Sequence, residues 1–435
     1  MNTNSYLETF EKMKEGRKGE PSWLRTLREE AIAAFARKGF PTVRDEAWRY
    51  TDVAMIAGTS FQGDEVAPAL SPEILEGLKQ KSGGNFLLVV NGRYSRAHSR
   101  IAEGIEVMDL GEAIAARPEK VQPYLGRCAA SFKDSFYLLN TAFFSSGLVI
   151  HVPENRTLRE PLHVVFYTEV AREGSVYYPR NLVVLGEGSR AVLVETHVSR
   201  GGQTYLTDSV TEVVLERGAI LDHAKIQRES EEAFHIASSH TLQRHSSSFS
   251  SFSLSIGGRL ARNENHVTLG DEGAACALNG LCLGDNDQVL DEQTFVDHRK
   301  PDGKSHQLYK GLMSGNSRGV FRGRVMVRQD AQRTDAHQTH KTLLLSDTAK
   351  VDTQPQLEIL ADDVKCSHGA AVGQLQEDAL FYLRSRGIGE REAAQILAQG
   401  FAREVIERLD LEFLKETLLE SVNEKLTRQF SAREE

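Results

Sequence analysis

From Leu148 onward, about 225 residues pass without a convincing long helix, and that stretch constrains the fold more than any other feature. Short runs rich in Val, Ile, Leu and Thr are broken there by Gly, Asp and Asn. A turn residue followed by an alternating run recurs at Gly188, Gly218, Gly258, Gly273, Gly319 and Ala349, in phrases such as GEGSRAVLVETH, ERGAILDHAK and SRGVFRGRVMV. The separations are 30, 40, 15, 46 and 30 residues, near multiples of about 15. A unit that short cannot bury its own apolar face and must stack on neighbours, so the pattern predicts a β-solenoid with irregular coils. A β-sandwich would also give short strands, usually with cleaner hairpin turns, and ranks second. Within the runs, Phe252, Leu254 and Ile256 alternate with Ser251, Ser253 and Ser255. Gly323, Val325 and Val327 likewise alternate with Arg322, Arg324, Met326 and Arg328. Period two assigns the apolar set to the inside and the serines or arginines to the outside.

The flanks read differently. Residues 1–57 follow a helical pattern, with Trp23, Leu24, Leu27, Ala31, Ala34 and Phe35 at three- and four-residue steps before Gly39 and Pro41. Trp48 and Tyr50 need burial or a partner surface, most simply burial in an interface between domains. A short helix is expected near 72–79, and a strand at 86–92 ending in an Asn-Gly turn. Helical periodicity returns over 105–145, with Cys128 as a small buried hydrophobe. Beyond Gln374, Leu375, Ala379 and Leu383 and then Ala393, Ile396, Leu397, Phe401 and Val405 mark two amphipathic helices split at 386–389. Leu411, Leu414, Leu418, Val422 and Leu426 mark a last one. The expected division is a mixed helical region at 1–146, a β core at 147–373 and a helical unit at 374–435. A solenoid end needs a cap, and the last unit is expected to supply it and to offer a docking surface.

Length alone implies two or three domains. The 52 basic and 61 acidic residues leave a net charge of −9, which gives no reason to expect nucleic-acid binding. No run approaches the apolar length of a membrane span, and the N-terminus lacks the apolar core of a secretory signal. Four cysteines with no CxxC fit a reducing compartment, so the cytoplasm is expected. There is no GxxxxGK[ST] and no GxGxxG between a strand and a helix. If ATP drives the work of this chain, another subunit binds it. No nucleophile elbow is expected either.

Metal-ligand chemistry centres on Cys366 and His368. In a strand, residues two apart project from the same face, and a thiolate with a neutral imidazole suits zinc, copper or an iron–sulfur centre. Two ligands do not close a site, so a second chain or distant residues must complete it. Lys365 would lower the thiol pKa, and Asp362 and Asp363 would raise it. Histidines 223, 235, 240, 245, 266, 298, 306, 337 and 340 lie singly along the core and read as structural. Cys276 and Cys282 read as packing, and DHRKPDGKSHQLYK at 297–310 as a solvated loop.

The phrases GFPTVRDEAWRYTD, HRKPDGKSHQLYKG, SRGVFRGRVMV, LLLSDTAKVDTQPQLEI, CSHGAAVGQL and FYLRSRGI occur in order along the chain. Together they resemble the SufB/SufD family, and its SufD branch more closely because of Cys-Ser-His-Gly at 366–369. The resemblance implies a mainly β chain: a right-handed parallel β-helix flanked by N- and C-terminal helical regions, without catalysis of its own. It implies a SufB-like partner at the last coils and a SufC-like ATPase on the C-terminal helices. Cys366 and His368 would then help to hold a nascent iron–sulfur cluster shared with the partner. A reduced flavin is associated with the family's complex, and nothing in this sequence locates it. Three rivals stay open: a self-sufficient homodimeric scaffold of SufB type, a β-helix enzyme acting on carbohydrate, and a purely structural adaptor. Neither a nucleic acid nor a membrane is expected as partner.

Overall fold

The structure, a computed structural model, describes all residues except 1–2, 64–67, 69, 81–83, 102, 130–133, 171 and 432–435. The N-terminal part contains α1 (Thr3–Gly16), α2 (Ser22–Lys38), α3 (Ala54–Gly58), β1 (Gln62–Gly63), α4 (Pro72–Gln80), β2 (Asn85–Val90), β3 (Arg93–Tyr94), β4 (Glu106–Asp109), α5 (Leu110–Ala116) and α6 (Ser135–Phe143). The Asn-Gly signal is used as read. Asn91 and Gly92 both take positive φ, and β2 and β3 pair antiparallel across them. The strand β4 interrupts the 105–145 segment that periodicity reads as helical throughout. Asp109 at its end then accepts from Gly111 N and Glu112 N and starts α5.

The core follows as β5 (Leu148–Val152), β6 (Leu162–Glu169), β7 (Ser175–Tyr177), β8 (Arg180–Leu185), β9 (Arg190–Arg200), β10 (Tyr205–Leu215), β11 (Ile220–Arg228), β12 (Ala233–Gln243), β13 (Ser248–Ser255), β14 (Leu260–Leu269), β15 (Ala275–Gly284), β16 (Val289–His298), β17 (Lys304–Met313), β18 (Arg318–Val327), β19 (Thr334–Leu344), β20 (Lys350–Ile359) and β21 (Val364–Gly373). From β8 onward successive strands go alternately to two sheets. One runs β20-β18-β16-β14-β12-β10-β8-β5-β4 and the other β21-β19-β17-β15-β13-β11-β9-β6-β2-β3. Every pairing from β5 to β21 is parallel, so the chain winds a parallel β-solenoid of about seven coils.

Its coils turn on a ladder of left-handed residues. Asn155, Gly188, Gly218, Ser246, Gly273, Asp302 and Arg333 all have positive φ and stand about 30 residues apart, where the chain crosses from the first sheet to the second. The N–H of each donates to the next coil: Gly218 N to His245 O, Ser246 N to Glu272 O, Asp302 N to Gln332 O. Four of these seven residues are not glycine, which is why the glycine spacing in the sequence is irregular. Gly258 turns the opposite corner, and Gly319 lies inside β18.

Alternation is right but its direction is inverted on β13. Ser251, Ser253 and Ser255 face inward, where Ser253 and Ser255 donate to Glu292 at 3.3 and 2.7 Å. Phe252 and Leu254 face outward, into a cluster with α8 (Glu390–Ile406) and α9 (Glu412–Ser431). Both faces of that strand are buried, so period two locates two faces without telling which is inside. On β18 the expected orientation holds: Val325 and Val327 join the interior and Arg324 pairs outward with Glu358.

The helices cover the sides of the solenoid. Helices α2 and α6 lie on the first sheet, over Val176, Leu206, Phe234, Ile236 and Leu260. Two buried arginines tie that layer down. Arg180 meets Glu212 at 2.5 Å and Tyr137 Oη at 2.9 Å, and Arg262 pairs with Asp291 and lies 3.7 Å from the Trp48 ring. The burial expected of Trp48 is thus at the seam between N-terminal region and solenoid. Helices α8 and α9 lie along the second sheet, anchored by Lys310 Nζ on Phe401 O at 2.8 Å. They do not cap the final coil, as expected of them. The remaining helix, α7 (Glu377–Ser385), buries no residue. Among the described residues, the last strands β20 and β21 each have one paired edge and one free edge.

Candidate functional site

Each inward position continues from coil to coil as a file of side chains. One file runs Ala191, Leu221, Phe249, Cys276, Ser305, Ala336 and ends at Cys366. The next runs Leu193, His223, Ser251, Leu278, Gln307, Gln338 and ends at His368. Both residues therefore face the solenoid axis from its terminal rung, and no further coil covers them. Cys366 is half-buried against the end of the apolar core together with Leu357 and Val364, and His368 is exposed. The same-face geometry expected from their spacing is present.

Burial pushes the Cys366 thiol up, a backbone hydrogen bond at Ala336 acts the other way, and the Asp335 carboxylate raises it further. The influence comes from the register neighbour on β19, not from Lys365, Asp362 or Asp363 on its own segment. A metal would have to displace a proton held more firmly than on a free cysteine. Beneath His368, Gln338 is buried at a point where the opposite sheet makes room for it. A Cβ on Gly323 would stand 1.9 Å from Gln338 Nε2.

The histidine in register with Ser367, between the two, does not join this pair. His337 projects outward, where its Nδ1 meets Ser367 Oγ at 2.6 Å and its ring stacks on His306 at 5.2 Å. Cys276 and Cys282 are buried in β15, and burial pushes the Cys276 thiol up to about 12. They pack, as their spacing implied. Cys128 is half-buried, its pKa raised by burial and by Glu212. The segment expected to be a solvated loop at 297–310 is largely strand β17, with Tyr309 and Lys310 buried.

Several large apolar side chains are exposed on or beside the last strands and on α7. Ile359, Leu360 and Val372 are exposed on the terminal strands, and Phe381 (74%) and Tyr382 (58%) on α7. A different convergence, missed in the sequence, lies deeper. Among the described residues, His197, Glu229 and His235 form the one group of three metal-competent side chains. The sequence signal for it is the coil length: His197 is in register with Gln227, two residues before Glu229. No helix among the described residues is long and apolar enough to cross a membrane.

Comparison with known proteins places most of the chain. The family model for the SUF system FeS cluster assembly SufBD core domain matches residues 167–401, and that for the SufBD protein N-terminal region matches residues 1–164. The iron-sulfur cluster assembly protein SufD of Escherichia coli is 31% identical over 92% of this chain and 92% of its own length. A SufBD family protein of Synechocystis is 30% identical over 93% and 91%. The chloroplastic protein ABCI7 of Arabidopsis thaliana is 30% identical over 88% and 82%. With the N-terminal region and the core domain both matched, the second over most of the solenoid, this protein belongs to the SufB/SufD family of iron–sulfur cluster assembly proteins.

Proposed function

We propose that this chain is a non-catalytic scaffold subunit, which holds part of a nascent iron–sulfur cluster and takes the rest of the ligand shell from a SufB-like partner. The observation that carries this reading is the terminal rung. Cys366 and His368 end two inward files where the next rung is missing, on strands whose outer edges are unpaired. A partner strand added there would satisfy the free backbone groups and bring its own ligands over the pair. The unit at 374–435 would dock a SufC-like ATPase, for which the exposed Phe381 and Tyr382 of α7 offer anchors. In this reading ATP is bound by that subunit, flavin belongs to the complex as a whole, and the assembly works in the cytoplasm.

The test is co-purification with the two candidate partners, with iron and labile sulfide measured on the same sample. Cys366→Ala with His368→Ala should lower the cluster yield several-fold while the complex stays intact; unchanged yield removes the ligand role and leaves a structural adaptor. Anaerobic reconstitution of the isolated chain to one full cluster would favour the self-sufficient homodimer instead.

A further inference from the structure

We infer that the solenoid interior contains a second metal site, formed by His197, Glu229 and His235 and suited to a divalent ion of the zinc or iron(II) class. His197 faces inward from β9 and His235 from β12 on the opposite sheet, their rings 4.9 Å apart and nearly perpendicular. Glu229 follows β11. One ligand atom from each of the three lies within 4.8 Å of the other two.

The hydrogen bonding singles this cluster out. His197 is 1% exposed, yet neither of its ring nitrogens has a hydrogen-bond partner. His235 Nδ1 is 2.6 Å from Glu229 Oε2, but not along the direction its N–H would take, and it too is left without a hydrogen bond. A buried nitrogen without a partner is destabilising, and each of the two rings brings one to the Glu229 carboxylate. A cation at their centre would satisfy one nitrogen of each ring and leave the second nitrogen of His197 facing Glu195.

The surroundings are built to hold the rings. Phe166 stacks on His197 at 4.4 Å with an interplanar angle of 3°. Glu195 Oε2 lies 3.7 Å from His197 Nε2, placed to orient the ring if Nδ1 is the ligand. Glu229 is fixed by Tyr205 Oη at 3.0 Å, Thr207 Oγ1 at 3.1 Å and Gln227 Nε2 at 3.2 Å. Three carboxylates, Glu195, Glu229 and Glu292, act on one ammonium, Lys225, so the chamber is formally short of positive charge. Lys225 Nζ meets His235 Nε2 at 3.0 Å and Asn263 Oδ1 at 2.6 Å; when Nδ1 binds metal it would keep the asparagine contact and release the imidazole.

Two imidazoles and a carboxylate select zinc or iron(II) over the hard ions calcium and magnesium, and the lack of a thiolate disfavours copper(I). Tetrahedral ligands at about 2.0–2.1 Å stand roughly 3.4 Å apart, so the Glu229–His235 contact opens slightly and the others close. Glu229 also lines a groove against α9, beside Ser199, Arg228 and Glu424, which gives the ion a way in. The site is independent of the terminal pair: on opposite sheets, β9 is six rungs from β21 and β12 four from β20, on the order of 20–30 Å.

The experiment uses the tag-free, chelator-treated full chain carrying Cys366→Ala and His368→Ala, which removes the other candidate ligands. Equilibrium dialysis against Zn²⁺ and Co²⁺ should give one equivalent per chain, with a cobalt spectrum of nitrogen and oxygen ligation and a raised thermal midpoint. His197→Phe, which keeps the stack on Phe166, should weaken binding about 100-fold or more. Glu229→Gln should do the same, its fold checked by circular dichroism. A folded chain that takes up no ion, equal affinity in His197→Phe, or sulfur ligation in the cobalt spectrum would each overturn the site.

Discussion

Single residues in this interior are held in protonation states that water would not favour. His298 and His340 are buried and their pKa values are pushed down to about 4, for His298 against the weaker opposing pull of Asp297. The unfolded chain takes up a proton on each below about 6.5, whereas the folded chain does not until about 4. Their neutral state therefore supports the fold above 6.5, and that support falls as the pH drops toward 4, by up to about 1.4 kcal/mol per pH unit for each. NMR titration should show both imidazoles silent near pH 6.5 and titrating near 4; an ordinary midpoint in the folded chain would refute the assignment. Residues of this kind were poorly legible in the sequence. Cys366 and His368 stood out because their spacing alone puts them on one face. His197 did not, since its partners lie in other coils and only the pairing register brings them together.

At the level of elements, the strands and terminal helices were readable from periodicity, and the use of their faces was not. Phe252 and Leu254 look like interior residues, but they bind the C-terminal helices to the outside of the second sheet. Replacing both with alanine should cost about 3–5 kcal/mol per site and free α8 and α9, with little effect on the coils. Chemical denaturation followed by hydrogen exchange can check this: early exchange confined to α8 and α9 is expected, and simultaneous loss of β13 protection would contradict it. The serines on the other face line a chamber with Glu195, Lys225 and Asn263. An apolar–polar alternation cannot reveal a polar interior when the covering layer comes from a segment more than a hundred residues away.

For the molecule as a whole, the decisive property is that one end is finished and the other is open. Val372 is exposed on the terminal rung, in an inward file. A lysine there would leave the isolated chain within about 0.5 kcal/mol of its original stability. The same charge would be buried by any strand laid over the rung, which is how natural edges refuse neighbours. Val372→Lys should therefore keep its melting temperature and lose the SufB-like partner in co-purification; retained pairing at full strength would move that interface elsewhere. The corner ladder carries a consequence for how such a rod changes length. Because Gly218, Ser246, Gly273, Asp302 and Arg333 recur at nearly constant intervals, excising one complete turn between equivalent corners removes about 4.8 Å and leaves every other rung in step. Lineages can thus lengthen or shorten the span between buried chamber and exposed tip in whole increments, as on a ruler, while a cut of any other size would throw the following strands out of phase.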